Sequence, residues 1–360
     1  MHEREQEAPV FLIAAGGTAG HVLPALAIAQ VLRDHGARVT FAGSPDRAEA
    51  RLVPEAGFEL DTFRVSGLPR RPGVEQARAA LRALAAPAAC DRILARRRPD
   101  AVLGAGGYVA GPMVIAAARR RIPTAVTEAD AHLGLANRLA APFAKRVFLS
   151  YPIPGRKPPK YVVTGRPIPD NARRVPRDEA RAKLGLPAEG PVLLVAGARA
   201  GARSLNELAV EVFGGSGPAI LHISGERDYD ELRMRVSRPD YVLLPVLDGL
   251  GAAYGAADLA LMRSGSTVWE LAAAGLPALL VPYPFATADH QTKNARYFES
   301  AGGAIVIPES ELGRVPETAR SLLDDSDRLG KMSAAMLSVA RPDAAEQIAE
   351  ELRALAAARG

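Results

Sequence analysis

The stretch that most restricts what this chain can fold into runs from Met262 to Ala295. A short apolar run, Asp258-Leu259-Ala260-Leu261-Met262, enters the small-residue turn Arg263-Ser264-Gly265-Ser266, which opens a helix reaching Ala274. Gly275 and Pro277 stop that helix, since glycine accepts the left-handed conformation of a helix end and proline cannot continue one. A second apolar run, Ala278 to Val281, follows, and another helix begins at Asp289-His290-Gln291. Strand, tight turn, helix and strand make half of a doubly wound parallel sheet, an arrangement that gathers ligands at the carboxyl ends of its strands. The turn carries little bulk, so amides at the helix start can approach an anion such as a diphosphate. Glu270, one turn inside, is placed to accept from the two hydroxyls of a ribose. Gln291 offers donors and an acceptor to sugar hydroxyls.

The same rhythm recurs upstream. Val10 to Ala15 is apolar throughout, as a strand buried on both faces must be, and runs into Gly16-Gly17-Thr18-Ala19-Gly20-His21 ahead of a helix capped by Gly36. The glycine offsets differ from the dinucleotide fingerprint, and no acidic residue closes the next strand, Arg38 to Ala42, which argues against a nicotinamide enzyme. His21 stands where strand hands over to helix, a position from which an imidazole can take a proton near neutral pH. A long helix, Val74 to Arg98, is expected to break or kink at Pro87. Strands at Ala101 to Leu103 and Thr124 to Val126 run into the loops Gly104 to Pro112 and Thr127 to Asp130.

Prolines and charges crowd Ser150 to Pro191, which places a linker there and predicts domains at 8–165 and 166–342. Strands of the second domain are expected at Val192 to Val195, Ala219 to Ile223, Tyr241 to Leu244, Leu259 to Met262, Ala278 to Val281 and Ala304 to Ile307. The tail, 343–358, reads as an amphipathic helix that packs back on the first domain.

With 48% hydrophobic residues in 360, the chain can bury two large cores. The single cysteine, Cys90, excludes an internal disulfide and a cysteine-based zinc site. The charged start, Met1 to Pro9, has no secretion-signal core, and no run reaches transmembrane length, so a cytosolic location is expected. A formal charge of +5 asks for an acidic partner. Aromatic residues are only 5% and form no base-stacking platform, which disfavours nucleic acid. Arginines cluster instead in the first half, at Arg70, Arg71, Arg78, Arg82, Arg92, Arg96-Arg97-Arg98 and Arg119-Arg120-Arg121. Leu68, Val74, Leu81 and Leu84 fall among the first of these, and the expected partner is an anionic membrane surface bound reversibly.

Taken together, Gly16 to Val22, Gly106 to Pro112, Gly134-Leu135-Ala136-Asn137 and Glu270 to Pro277 with the downstream Gln291 and Asn294 resemble, in order and spacing, the MurG family. These transferases move N-acetylglucosamine from UDP to undecaprenyl-pyrophosphoryl-N-acetylmuramyl-pentapeptide in peptidoglycan synthesis. The resemblance implies the GT-B architecture, in which two Rossmann-like, doubly wound α/β domains face a cleft. It also implies inversion at the anomeric carbon without metal or cofactor, by an enzyme lying peripherally on the cytoplasmic face of the cell membrane. Carried over by motif, Thr18, Ala19 and Gly20 line the crevice near donor diphosphate and acceptor, and His21 is the base or an orienting group. Leu247 corresponds to the backbone that meets uracil. Ser266, Thr267, Val268, Trp269 and Glu270 correspond to the diphosphate and ribose site, and Gln291 to the N-acetylglucosamine hydroxyl contact.

Departures from the family pattern fall on the donor side. Glu128-Ala129-Asp130 stands where the family shows Glu-Gln-Asn, which puts the Asp130 carboxylate near the transferred sugar. Arg166-Pro167-Ile168-Pro169 replaces Asn-Pro-Val-Arg, and Gly197-Ala198-Arg199-Ala200-Gly201-Ala202 replaces Gly-Gly-Ser-Gln-Gly-Ala, so that Arg199 can bind diphosphate from a new direction. The reaction needs an aligned acceptor hydroxyl, a stabilised leaving diphosphate and a proton acceptor. His21, Asp130 and Glu128 compete for the last role. Three other readings fit the same residues: a GT-B transferase with a different nucleotide sugar or acceptor, a UDP-sugar-binding paralogue without turnover, and a sugar epimerase of similar architecture.

Overall fold

The computed structural model describes residues 8–65, 74–197 and 201–359, with side chains throughout except in 74–85. The first compact unit reaches Pro169 and takes the chain in again from Pro342; the second is Asp170–Arg341.

In the first unit, β1 (Val10–Ala14), β2 (Arg38–Gly43), β3 (Glu59–Thr62), β4 (Ala101–Gly104), β5 (Thr124–Glu128), β6 (Arg146–Leu149) and β7 (Tyr161–Val163) form one sheet in the order β3-β2-β1-β4-β5-β6-β7. All its pairs are parallel. The order reverses between β1 and β4, where Ala14 lies beside Gly104, so the loops that leave these two strands emerge side by side. Alternate residues of β1 feed two cores: Phe11 and Ile13 pack on one face, Leu12 and Ala14 on the other. Burial on both faces is the reason this strand carries no polar residue.

The tail helix, Ala344–Ala357, lies in the first of those cores through Ile348, Ala349 and Leu352, beside Val22, Ala25 and Ile28 of the helix Ala19–Asp34. An Arg146–Glu351 ion pair of 2.9 Å links the same tail helix to β6.

In the second unit, β8 (Val192–Ala196), β9 (Ala219–Ile223), β10 (Tyr241–Leu244), β11 (Leu259–Met262), β12 (Ala278–Leu280) and β13 (Ala304–Val306) form a six-stranded parallel sheet in the order β10-β9-β8-β11-β12-β13. Gly275 caps the helix Val268–Ala274 at φ 64°, the left-handed conformation its position requires.

Three features depart from the sequence reading. Helix Val74–Arg97 runs through Pro87 without a break. Proline removes one backbone hydrogen bond there, and the burial of Ala86, Cys90, Ile93 and Leu94 offsets that loss. The short strands β3 and β6 and the helix Ala48–Glu55 add to the expected elements. Residues 166–169 belong with the first unit, since the buried Arg166 donates to the carbonyl of Gly20.

Candidate active site

In the first unit the candidate residues sit on the carboxyl edge of the sheet, where the loops after β1 and β4 interlock. Gly106 and Gly107 have φ of +107° and +76°. A Cβ on Gly107 would overlap the carbonyl oxygen of Gly16, and one on Gly106 would lie 2.5 Å from Nδ1 of His21. Only glycine permits both this backbone and this approach. The β1 loop is further held by Glu49, fully buried, whose carboxylate accepts from the amides of Gly17 (3.0 Å) and Ser44 (2.8 Å). Thr18 occupies the N-cap of the helix Ala19–Asp34, but its hydroxyl makes no capping bond and is exposed. Ala19 and Gly20 follow, half-buried, in the first turn.

His21 therefore stands in a socket made by Gly106 and the Arg166 end of the β7 loop. Burial and the Arg166 guanidinium lower its pKa, Asp130 pulls it back up, and the balance is about 4. At neutral pH the ring is uncharged and retains a lone pair for a proton.

Asp130 acts on His21 from the loop after β5, and that loop is organised by Glu128. One Glu128 oxygen accepts from the amide of Asp130 (3.1 Å); the other accepts from the amide of Gly134 (2.9 Å) and from Nδ2 of Asn137 (2.9 Å). Burial raises the pKa of Glu128 despite those donors. With both oxygens committed, Glu128 shapes the loop and leaves His21 and Asp130 as the candidates for proton transfer.

In the second unit the carboxyl ends of β11 and β12 are tied together by Arg263. Its guanidinium donates to the carbonyls of Val281 (3.2 Å) and Pro282 (3.3 Å), to Oγ of Ser204 (2.9 Å) and to the Glu309 carboxylate. Burial would raise the Glu309 pKa, but the bonds from Arg263 and Ser204 outweigh it and hold the carboxyl below its ordinary value. Ser264 donates to the backbone oxygen of Gln291 at 2.8 Å, and Asn294 donates back to the Ser264 carbonyl at 3.4 Å, locking the turn to the helix His290–Ser300. Oε1 of Gln291 accepts from the amide of Tyr283 at 2.9 Å, which leaves the NH₂ of the same amide as its donor. Glu270 receives the hydroxyl of the fully buried Tyr254 on Oε2 at 2.7 Å, so the carboxylate is pre-oriented. Ser266 and Thr267 lead into the helix half-buried, and Leu247 is half-buried in the loop after β10.

Val268 and Trp269 bring backbone, not side chains, to the edge of the turn. The side chains of Val268 and Trp269 are core: Val268 is fully buried, and the indole packs on Tyr297 and Phe298 with ring centroids 5.8 and 5.3 Å away. The amides of Val268 and Trp269 meet the oxygens of Gly265 (3.3 Å) and Ser266 (3.4 Å). Arg199 lies outside the described residues, as do Leu68, Arg70 and Arg71, and the side chains of Val74, Arg78, Leu81, Arg82 and Leu84. Among the described residues, no group of three or more His, Cys, Asp or Glu side chains is arranged to hold a metal. Sequence reasoning missed Glu49 and the ties made by Arg263, because their partners lie 5 to 59 residues away and no local pattern announces them.

Two doubly wound parallel sheets, each with polar candidates collected on its carboxyl edge, are the architecture of two-domain glycosyltransferases. Residues 11–149 match the glycosyltransferase family 28 N-terminal domain and residues 192–348 the glycosyltransferase family 28 C-terminal domain, and the chain belongs to that family. A relative from Methylococcus capsulatus is 42% identical over 94% of this chain and 96% of its own length. Its name is UDP-N-acetylglucosamine–N-acetylmuramyl-(pentapeptide) pyrophosphoryl-undecaprenol N-acetylglucosamine transferase. One of the same name from Halothermothrix orenii is 37% identical over 91% of this chain and 94% of its own. The crystal structure of MurG from Acinetobacter baumannii superposes with a TM-score of 0.76 at 28% identity, covering 96% of this chain and 99% of that one.

Proposed function

We propose that this protein transfers N-acetylglucosamine from UDP-N-acetylglucosamine to undecaprenyl-pyrophosphoryl N-acetylmuramyl-pentapeptide, inverting the anomeric carbon. Relatives at about 40% identity over nearly the whole chain are named for this reaction. The observation that carries the reading to a mechanism is the neutral His21 at the junction of two glycine loops, with Asp130 acting on it. The acceptor hydroxyl loses its proton to His21 as its oxygen bonds to the anomeric carbon, and the bond from that carbon to the UDP oxygen breaks. Thr18, Ala19 and Gly20 present backbone to the acceptor side. In the second unit, the turn from Ser266 through Thr267, Val268 and Trp269 to Glu270 meets the diphosphate and ribose, with Glu270 taking the ribose hydroxyls; Leu247 offers backbone to the uracil, the NH₂ of Gln291 meets the sugar, and Arg199 is a further cation for the diphosphate.

The lipid carrier of the acceptor gives the first unit a second surface to provide. Leu135, Leu139 and Phe143 are 71%, 61% and 48% exposed. Arg138 and Lys145 are exposed among them, and no acidic residue occurs from Gly134 to Arg146. Apolar side chains interleaved with cations alone suit an anionic bilayer surface, bound peripherally. No helix among the described residues is long and apolar enough to cross a membrane.

The test is transfer of labelled N-acetylglucosamine to the lipid-linked muramyl-pentapeptide. Wild type forms product, and His21→Ala lowers kcat by roughly 10²- to 10⁴-fold, the usual loss for a general base. Free N-acetylmannosamine or UDP-N-acetylmannosamine appearing without acceptor, and no lipid-linked product, would replace the transferase reading with an epimerase. In a vesicle sedimentation assay, binding rises with anionic lipid content, and Leu135→Ser/Leu139→Ser lowers it.

A further inference from the structure

The loop after β12 presents an aromatic pair that the mechanism above leaves unused. Tyr283 is 44% exposed and Phe285 81%, and their rings meet edge to face with centroids 5.6 Å apart. Most loops that display a phenyl ring to water are free to fold it away. This one is not. Pro282 and Pro284 fix backbone angles on either side of Tyr283. The amide of Ala286 closes a turn on the Tyr283 carbonyl at 3.1 Å, and the amide of Asp289 closes the next on Ala286 at 3.0 Å. Tyr283 is itself pinned, with its amide on Oε1 of Gln291 and the Arg263 guanidinium 5.6 Å from its ring centre. Phe285 thus sits at the tip of a braced turn whose base is hydrogen-bonded to the side chain assigned to the sugar.

A gluco-configured pyranose carries axial C–H groups on its faces and hydroxyls around its rim. A rigid aromatic surface suits a C–H face, while an amide donor suits the rim. We propose that Phe285, buttressed by Tyr283, is the stacking surface for the N-acetylglucosamine ring of the donor, making this pair a determinant of sugar binding distinct from the nucleotide contacts. The proposal rests on the donor reading given above.

Calorimetric titration of UDP and of UDP-N-acetylglucosamine into wild type, Phe285→Ala, Phe285→Leu and Phe285→Trp separates the two. UDP affinity is expected to be the same in all four proteins. UDP-N-acetylglucosamine binds roughly tenfold more weakly to Phe285→Ala, several-fold more weakly to Phe285→Leu, and close to normally to Phe285→Trp, where a ring face is restored. In turnover, Phe285→Ala raises donor KM and leaves kcat within about twofold. An equal change for both ligands in Phe285→Ala, or no change for either, overturns stacking while leaving the donor site intact. Wild type that binds neither ligand removes the donor reading and this proposal with it.

Discussion

A buried imidazole serves as a base only while it is neutral, and its surroundings set the pH at which that ends. For His21, burial and Arg166 act against protonation and Asp130 acts for it, giving a pKa near 4 instead of 6.5. Activity that depends on the neutral ring is nearly complete from about pH 6 upward and is lost as pH falls through about 4, so kcat/KM of the free enzyme should stay flat across the range where an ordinary histidine titrates. Asp130→Asn removes the raising partner and shifts the acid limb lower. Arg166→Gln keeps a donor for the Gly20 carbonyl, removes the cation and shifts the limb higher. A pH–rate profile of the three proteins checks both signs, and a limb unmoved by either substitution would assign the proton to another group. At this scale the sequence showed His21 and its glycines, because a loop that must come close to a ligand is written locally. It did not show why Glu49 and Glu128 are buried. Glu49 looks like a solvated carboxylate and Glu128 like a rival base until the amides of Gly17, Ser44 and Gly134 are brought to them by tertiary contacts.

Elements were legible in proportion to their burial. Every strand of the second sheet is an apolar run bounded by breakers, whereas β3 alternates as Glu-Leu-Asp-Thr at a sheet edge and β6 opens on Arg146, whose carboxylate partner Glu351 is 205 residues away. β9 illustrates what an apolar pattern conceals. Its His222 is fully buried, with Nε2 3.0 Å from Oδ1 of Asn206 and Nδ1 2.9 Å from the hydroxyl of Tyr241. Nδ2 of Asn206 donates to the Ser224 carbonyl and to Asp228, each at 2.9 Å, so Oδ1 is left to accept. Hence Nε2 carries the proton, and Tyr241 donates to Nδ1. Gly201, after β8, packs against the same Ser224 carbonyl, so the network also fixes the entry to the helix Arg203–Phe213. Burial lowers the His222 pKa to about 4, with Asp228 opposing. The unfolded chain takes up this proton near 6.5, so stability is full above that pH and declines as pH falls toward 4, by roughly 3 kcal/mol in all. His222→Leu strands Asn206 and Tyr241 and costs about 2 kcal/mol or more at pH 7. It also removes the titration, so urea midpoints for wild type and variant should converge between pH 7 and pH 4. A constant gap would show that His222 takes up its proton equally in the folded and unfolded states.

At the scale of the molecule, the chain builds one unit, leaves it, builds the second and returns, so the first unit is completed by the last helix to be made. Leu352 is fully buried in the core that includes Phe11, Val22 and Phe148, and the second unit has a core of its own around Leu193, Val195 and Leu261. A defect placed at Leu352 therefore belongs thermodynamically to the first unit, although it lies at the far end of the sequence. Leu352→Ala removes about three carbons from a closed site and should destabilise that unit by roughly 3 kcal/mol. On the proposed donor reading UDP binds the second unit, and it stabilises what it binds by an amount set by its concentration over its Kd, about 2.7 kcal/mol at a hundredfold excess. Differential scanning calorimetry of wild type and Leu352→Ala, each with and without UDP, crosses the two effects. The substitution should lower one transition, UDP should raise the other, and neither should alter the size of the other's shift. If UDP instead restores the transition that Leu352→Ala has lowered, the nucleotide is gripped by the first unit, and the division of labour between acceptor side and donor side is reversed.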